Sequence, residues 1–179
     1  KSVTFDVDVR ADDKYVQGED TITATVTGHS GGNYEDVKYD NTNNTVKVID
    51  DKDATTIKIV APANVDENAT KVTYTVEVDN APQTDLIVTV NVNGTPKEVT
   101  ILKDTKSVTF DVDVRADDKY VQGEDTITAT VTGHSGGNYE DVKYDNTNNT
   151  VKVIDDKDAT TIKIVAPANV DENATKVTY

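Results

Sequence analysis

Residues 71–101 read KVTYTVEVDNAPQTDLIVTVNVNGTPKEVTI. Val72, Tyr74, Val76 and Val78 fall on every second position, so in an extended chain they share one face; Leu86, Val88, Val90 and Val92 do the same on a second run. Asn93-Gly94 follows, a pair that accepts the positive φ angles a tight hairpin demands, and it returns the chain into a short run carried by Val99 and Ile101. No helical period competes with this alternation.

Working outward, Ile57 and Ile59 begin a strand before this stretch. Val108, Phe110, Val112 and Val114 form one after it, then Ile127, Ala129 and Val131, and finally Val151 with Ile154. Seven short strands separated by Gly, Pro, Asn and Asp turns predict an all-β chain built as an immunoglobulin-like sandwich. Thr, Lys, Asp and Glu on alternate positions supply the solvated outer faces. A β-solenoid would need a short internal repeat, and none is visible.

A long repeat is plain. Residues 1–74 recur without a difference as 106–179, a period of 106 − 1 = 105 residues, the length of a whole domain. Identity at surface and core positions alike exceeds what folding requires, because most surface substitutions barely alter stability; tandem duplication is the implied origin. The segment Asp50-Asp51-Lys52-Asp53-Ala54, repeated as Asp155-Asp156-Lys157-Asp158-Ala159, reads as a domain boundary or as an internal turn. The boundary reading places the C-terminal half of one repeat at 1–53, a complete repeat at 54–157 and the first strands of the next at 158–179. The chain begins at Lys1 inside a strand-like run, so it is expected to be an excerpt of a longer protein.

Composition narrows the partners. With 33 acidic against 18 basic residues the net charge is −15, which repels nucleic-acid phosphates and anionic membranes and attracts divalent cations. There is no cysteine, hence no disulfide or thiolate metal site, and no apolar run long enough to span a membrane. The neighbouring identical repeats of the same chain are the expected partners, with no nucleic acid, no direct membrane insertion and no small-molecule substrate.

If the strands alternate in direction, one tip of the 54–157 repeat collects Asp66, Glu67 and Asn68, then Asp117, Asp118, Glu124 and Asp125, and the linker residues Asp155, Asp156 and Asp158. The following repeat brings its opposite tip, the loop GHSGGNYED, with Asn138, Glu140 and Asp141 in the complete copy. Carboxylates this close repel unless a hard cation joins them, and Ca²⁺, with six to eight oxygen ligands, is the extracellular choice. Against this stands composition alone, since an acidic chain has Asp-rich loops in any case, and no EF-hand spacing is present. Arg10 and Arg115 are assigned a structural salt bridge at that rim. Tyr15 and Tyr120 are expected to pack the loop onto the sandwich, and Tyr34 and Tyr139 to anchor the opposite one. Paired aspartates at hinge-like loops, with no histidine beside them, do not make an enzyme.

The stretch Val112-Asp113-Val114-Arg115-Ala116-Asp117-Asp118-Lys119-Tyr120-Val121-Gln122-Gly123-Glu124, with Thr130 through Glu140 and the segment Tyr74 to Val90, resembles the immunoglobulin-like extender repeats of bacterial RTX adhesins. These are giant type I-secreted surface proteins; the extender region of an Antarctic marine bacterial ice-binding adhesin is of this kind. The resemblance spans the 105-residue period. It implies calcium at the junctions, held by Asp12, Asp13, Glu19, Asp50, Asp51 and Asp53 in one copy and by Glu67, Asp117, Asp118, Glu124, Asp155, Asp156 and Asp158 in the next. The family linker usually reads Asp-Thr-x-Asp-Thr-Thr, where this chain has Asp50-Asp51-Lys52-Asp53-Ala54-Thr55. The implied function is a calcium-rigidified stalk on the bacterial cell surface, anchored to the outer membrane through other regions, that projects a distal ligand-binding region. The alternative is a repeated adhesive module that itself binds a glycan or partner protein.

Overall fold

The computed structural model describes residues 1–179. In chain order the strands are β1 (Asp20–Thr23), β2 (Thr45–Val48), β3 (Ala54–Val60), β4 (Asn64–Asp66), β5 (Lys71–Val78), β6 (Leu86–Val92), β7 (Thr95–Ile101), β8 (Ser107–Asp113), β9 (Asp125–Gly136), β10 (Asp141–Asn148) and β11 (Thr150–Ile154). There is no helix. β3 to β11 form two facing sheets, ordered β10-β3-β5-β8 and β4-β11-β9-β6-β7, while β1 and β2 make a separate two-stranded ribbon. The architecture is all-β and resembles an immunoglobulin-like sandwich.

The alternation read from the sequence sets the registers. Val72, Tyr74 and Val76 of β5 lie opposite Val112, Phe110 and Val108 of β8, and Leu86 and Val88 of β6 lie opposite Ile101 and Val99 of β7. The β6–β7 turn uses φ values of 46° at Asn93 and 91° at Gly94, as its composition requires. Between the sheets the core is aliphatic, with Ile57, Ile59, Leu86, Val88, Val90, Ile127, Val131 and Val151 all at most 4 % exposed. Tyr74 is fully enclosed, stacks on Phe110 at 5.5 Å between ring centroids, and donates its hydroxyl to the Ile127 carbonyl at 2.7 Å. Enclosure in this apolar setting pushes its phenol up to about 12.

The sandwich carries nine strands in place of the seven expected, because its first and last strands each change sheets. Pro62, which lacks an N–H, sits in the break between β3 and β4, and Asn149 in the break between β10 and β11. β10 then runs parallel to β3 and β11 parallel to β4, so the chain ends of the unit are tied together in both sheets. The run Asp141–Asn148 shows no apolar alternation because it is an edge strand held by backbone pairing, with no residue fully buried. The last strand also corrects one assignment: Val151 and Val153 face the core at 0 % exposure, whereas Ile154 is 45 % exposed.

The two copies of the repeated sequence differ in burial, because within residues 1–179 only one has its facing strands. Phe110 is 7 % exposed and its copy Phe5 73 %; Ile57 is 0 % exposed and its copy Ile162 95 %. Phe110 has β5 beside it, whereas no strand pairs with the run around Phe5 or with residues 159–179. A strand buries its apolar face only against an opposing layer.

Candidate functional site: an acidic sandwich tip and the joint beside it

Three segments converge where the chain leaves the sandwich: the turn after β4, the loop from β8 to β9, and the residues following β11. The turn is shaped locally, with Asp66 accepting from the Asn68 amide at 3.0 Å, and the Glu67 amide is tied to the Ile154 carbonyl at 3.1 Å. This holds Glu67 inward at 2 % exposure. Arg115 reaches it from the end of β8, its Nε donating to Oε2 of Glu67 at 2.8 Å and one terminal nitrogen to the Gly123 carbonyl at 2.7 Å. The rim salt bridge expected of Arg115 is therefore present, with Glu67 as the partner.

Around this pair the carboxylates gather. Oxygens of Glu67, Asp117 and Asp156 all lie within 4.8 Å of one another. The Asn68 side-chain amide donates to Oδ2 of Asp156 at 2.6 Å, while Oδ1 of Asp156 is buried without a partner. Burial, then repulsion from Asp158, Asp156, Asp118 and Asp66, raises the Asp117 carboxyl above the usual range. Burial also raises Glu67, against the opposing pull of Arg115. Oxygen donors, mutual repulsion and an unsatisfied buried carboxylate oxygen are what a divalent cation would relieve.

The remaining acidic candidates fall into separate groups. Asp118 structures its own loop, accepting from the Tyr120 amide at 2.7 Å and from the Gln122 side chain; Asp155 accepts from the Gln122 amide at 2.9 Å. Glu124 points away, toward Lys152 at 3.7 Å, and its copy Glu19 toward Lys47 at 3.3 Å. Asp13 and Asp50 repeat the loop bonds, to the Tyr15 and Gln17 amides at 2.8 Å each. Asp12 is raised by repulsion from Asp51 first and Asp53 second, so these three form a second acidic group. There Arg10 turns to Asp50 at 3.2 Å, and Lys14 lies 2.5 Å from Asp53.

This second group abuts the opposite tip of the β3–β11 sandwich. Glu140 accepts from the Asp53 amide at 2.6 Å, and Tyr15 stacks on Tyr139 with centroids 5.6 Å apart. Tyr139 anchors its loop as expected, 9 % exposed with its ring against the core. Tyr15 packs against the core of the β3–β11 sandwich, and Tyr120 and Tyr34 are exposed at 80 % and 75 %. Lys14, Gln17 and Gln122 carried no sequence signal, because each also bonds an aspartate more than thirty positions away.

The two sheets and their acidic tip define an all-β structural domain. A family model described as "LapA domain" matches residues 53–156, more than half of the chain, and the chain belongs to that family. No curated protein matches. Among solved structures, the apo form of the Calx CBD1 domain is similar at 17 % identity and a TM-score of 0.45, over 56 % of this chain and 98 % of that one. The calcium binding domain CBD12 of CALX1.1 has the same identity and score over 55 % of this chain and 45 % of its own length. A CARDB domain from Pyrococcus furiosus, in complex with di-metal ions, is 25 % identical at a TM-score of 0.32, over 57 % of this chain and 94 % of that one. No helix of the chain is long and apolar enough to cross a membrane.

Proposed function

We propose that this chain is a segment of a bacterial surface stalk, in which sandwiches repeat in tandem and Ca²⁺ at their joints turns a flexible string into a rod. In this reading 54–157 is one complete repeat, 1–53 the closing part of the one before it, and 158–179 the opening part of the next. The repeats lie outside the cell and carry a distal binding region away from its surface. The observation that carries the proposal is the convergence of Glu67, Asp117 and Asp156 within 4.8 Å at the tip where the chain exits toward the next repeat. Asp12, Asp51 and Asp53, facing Glu140, supply the counterpart at the joint. A cation bound there would cancel the repulsion and draw the linker onto the sandwich. Extracellular modules of this chemistry bind at about 10⁻⁴–10⁻³ M.

The test is small-angle X-ray scattering of a tandem array of the repeat, with calcium and with chelator, alongside calorimetric titration. Calcium should lengthen the maximum dimension and raise the melting temperature. Unchanged scattering and melting at millimolar calcium would overturn the proposal.

A further inference from the structure

We propose that consecutive repeats also dock through a metal-independent clasp, in which Tyr15 and Val16 of one unit seat on Tyr139 and its neighbouring loops in the next, and that Tyr120 and Val121 are the same clasp presented to another copy. The inference rests on the tandem reading above and adds a contact that needs no cation.

The seated clasp consists of neutral groups. The Val16 amide donates to the Asn138 carbonyl at 3.0 Å and the Glu140 amide to the Lys14 carbonyl at 3.2 Å, making one antiparallel rung between Tyr15 and Tyr139. The two rings stack at an interplanar angle of 23°. Each hydroxyl is bonded, that of Tyr15 to the Ala81 carbonyl and that of Tyr139 to the Asn80 carbonyl, both at 2.5 Å. The receiving loop is braced from within, because the Asn138 side chain donates to Gln83 at 2.7 Å. Aromatic stacking with both phenols satisfied contributes in water without any charged partner.

The second copy identifies the partner. Tyr120 is 80 % exposed and Val121 100 %, yet their loop keeps the bonds of the seated one. Gln122 donates its amide to Asp155 at 2.9 Å, as Gln17 does to Asp50 at 2.8 Å. Arg115 donates to the Gly123 carbonyl at 2.7 Å, as Arg10 does to that of Gly18 at 2.5 Å. The loop thus holds the same shape with and without its neighbour, so little ordering cost remains to be met on docking. Tyr15 is half-buried and Val16 55 % exposed where the loop is seated, against 80 % and 100 % for Tyr120 and Val121, so the bare pair fits the Tyr139 tip of another copy. Such a head-to-tail contact propagates as an open array.

The test is residue-resolved amide exchange by NMR on the full chain in chelator, prepared once with residues 1–53 and once with residues 54–179 isotopically labelled, so that identical repeats are told apart. The Val16 amide should exchange at least about tenfold more slowly than the Val121 amide. Tyr15→Ala should abolish the difference, Tyr15→Phe should keep most of it, and Tyr120→Ala should leave it intact. Equal exchange at the two valines, or protection that survives Tyr15→Ala, would overturn the clasp. Protection at Val16 that arises only after calcium is added would overturn the clasp and leave the calcium joint standing. Protection unchanged by calcium, with scattering also unchanged, would support the clasp and remove the calcium reading.

Discussion

Arg115 holds Glu67 through a 2.8 Å bond from Nε to Oε2, while its copy Arg10 holds the more exposed Asp50 at 3.2 Å. Removing one partner of an enclosed pair strands the other charge, whereas a rim pair contributes little. Arg115→Ala should therefore lower the calorimetric melting temperature by on the order of 10 °C. Glu67→Gln in that background should restore part of the loss, and Arg10→Ala should shift melting by no more than about 2 °C.

Asp117 sits within a group of like charges, and its carboxyl is raised above 3.8 by burial and by Asp158 and Asp156. Neutralising it should stabilise the metal-free protein and weaken the response to calcium. Asp117→Asn is expected to raise melting in chelator while at least halving the calcium-induced increase. The sign follows from proton linkage: the folded state holds this proton to higher pH than the unfolded chain, so metal-free stability falls as pH rises above the ordinary carboxylate value. Thermal scans across acidic pH with chelator present check it.

Tyr74 and Tyr139 are both pushed up to about 12 by burial. Their neutral forms stabilise the fold fully below the ordinary phenol value of 10.0, and that contribution is lost as pH rises from there toward the folded-state values. Tyrosinate absorbance followed through an alkaline titration should show these two ionising late, together with loss of structure. Tyr74→Phe removes the donor to the Ile127 carbonyl and should cost about 1–1.5 kcal/mol in urea unfolding.

Gly136 and Gly31 are the same residue in two settings. A Cβ on Gly136, at φ +80°, would lie 2.2 Å from the Asp85 carbonyl oxygen, whereas one on Gly31, at φ +71°, would meet nothing within 4 Å. Gly31→Ala carries only the backbone strain, about 1–2 kcal/mol, and Gly136→Ala adds a clash with backbone that has to move. Denaturant titration should show at least twice the destabilisation for Gly136→Ala.

Much of the sandwich was legible because its core strands alternate cleanly. Val72 to Val78 and Leu86 to Val92 lie where period two places them, and Asn93-Gly94 makes the hairpin its chemistry predicts. The sheet-switching strands were not legible. β10 is held to β3 by backbone bonds, and Ile154 follows Val153 onto the opposite face, a register that only pairing with β4 and β9 sets. At the acidic tip, strand counting brought Glu67, Asp117 and Asp156 to one end. It could not tell that Glu124 turns to Lys152 and Asp118 to its own loop, since both choices are made by side chains competing for nearby donors.

The duplicated sequence separates the two kinds of information. Bonds between residues ten positions apart or fewer appear in both copies: His29 meets the Tyr39 hydroxyl at 2.7 Å and His134 that of Tyr144 at 2.7 Å. The Asn68 and Asn173 amides likewise bond Asp66 and Asp171 at 3.0 and 2.8 Å. Sequence alone determines these, along with the strand periodicity and the acidic charge, because they need only the local chain. Whether Ile57 or Ile162 is buried, or Phe110 or Phe5, only the tertiary structure decided. Burial requires a facing layer, and no residue carries its own.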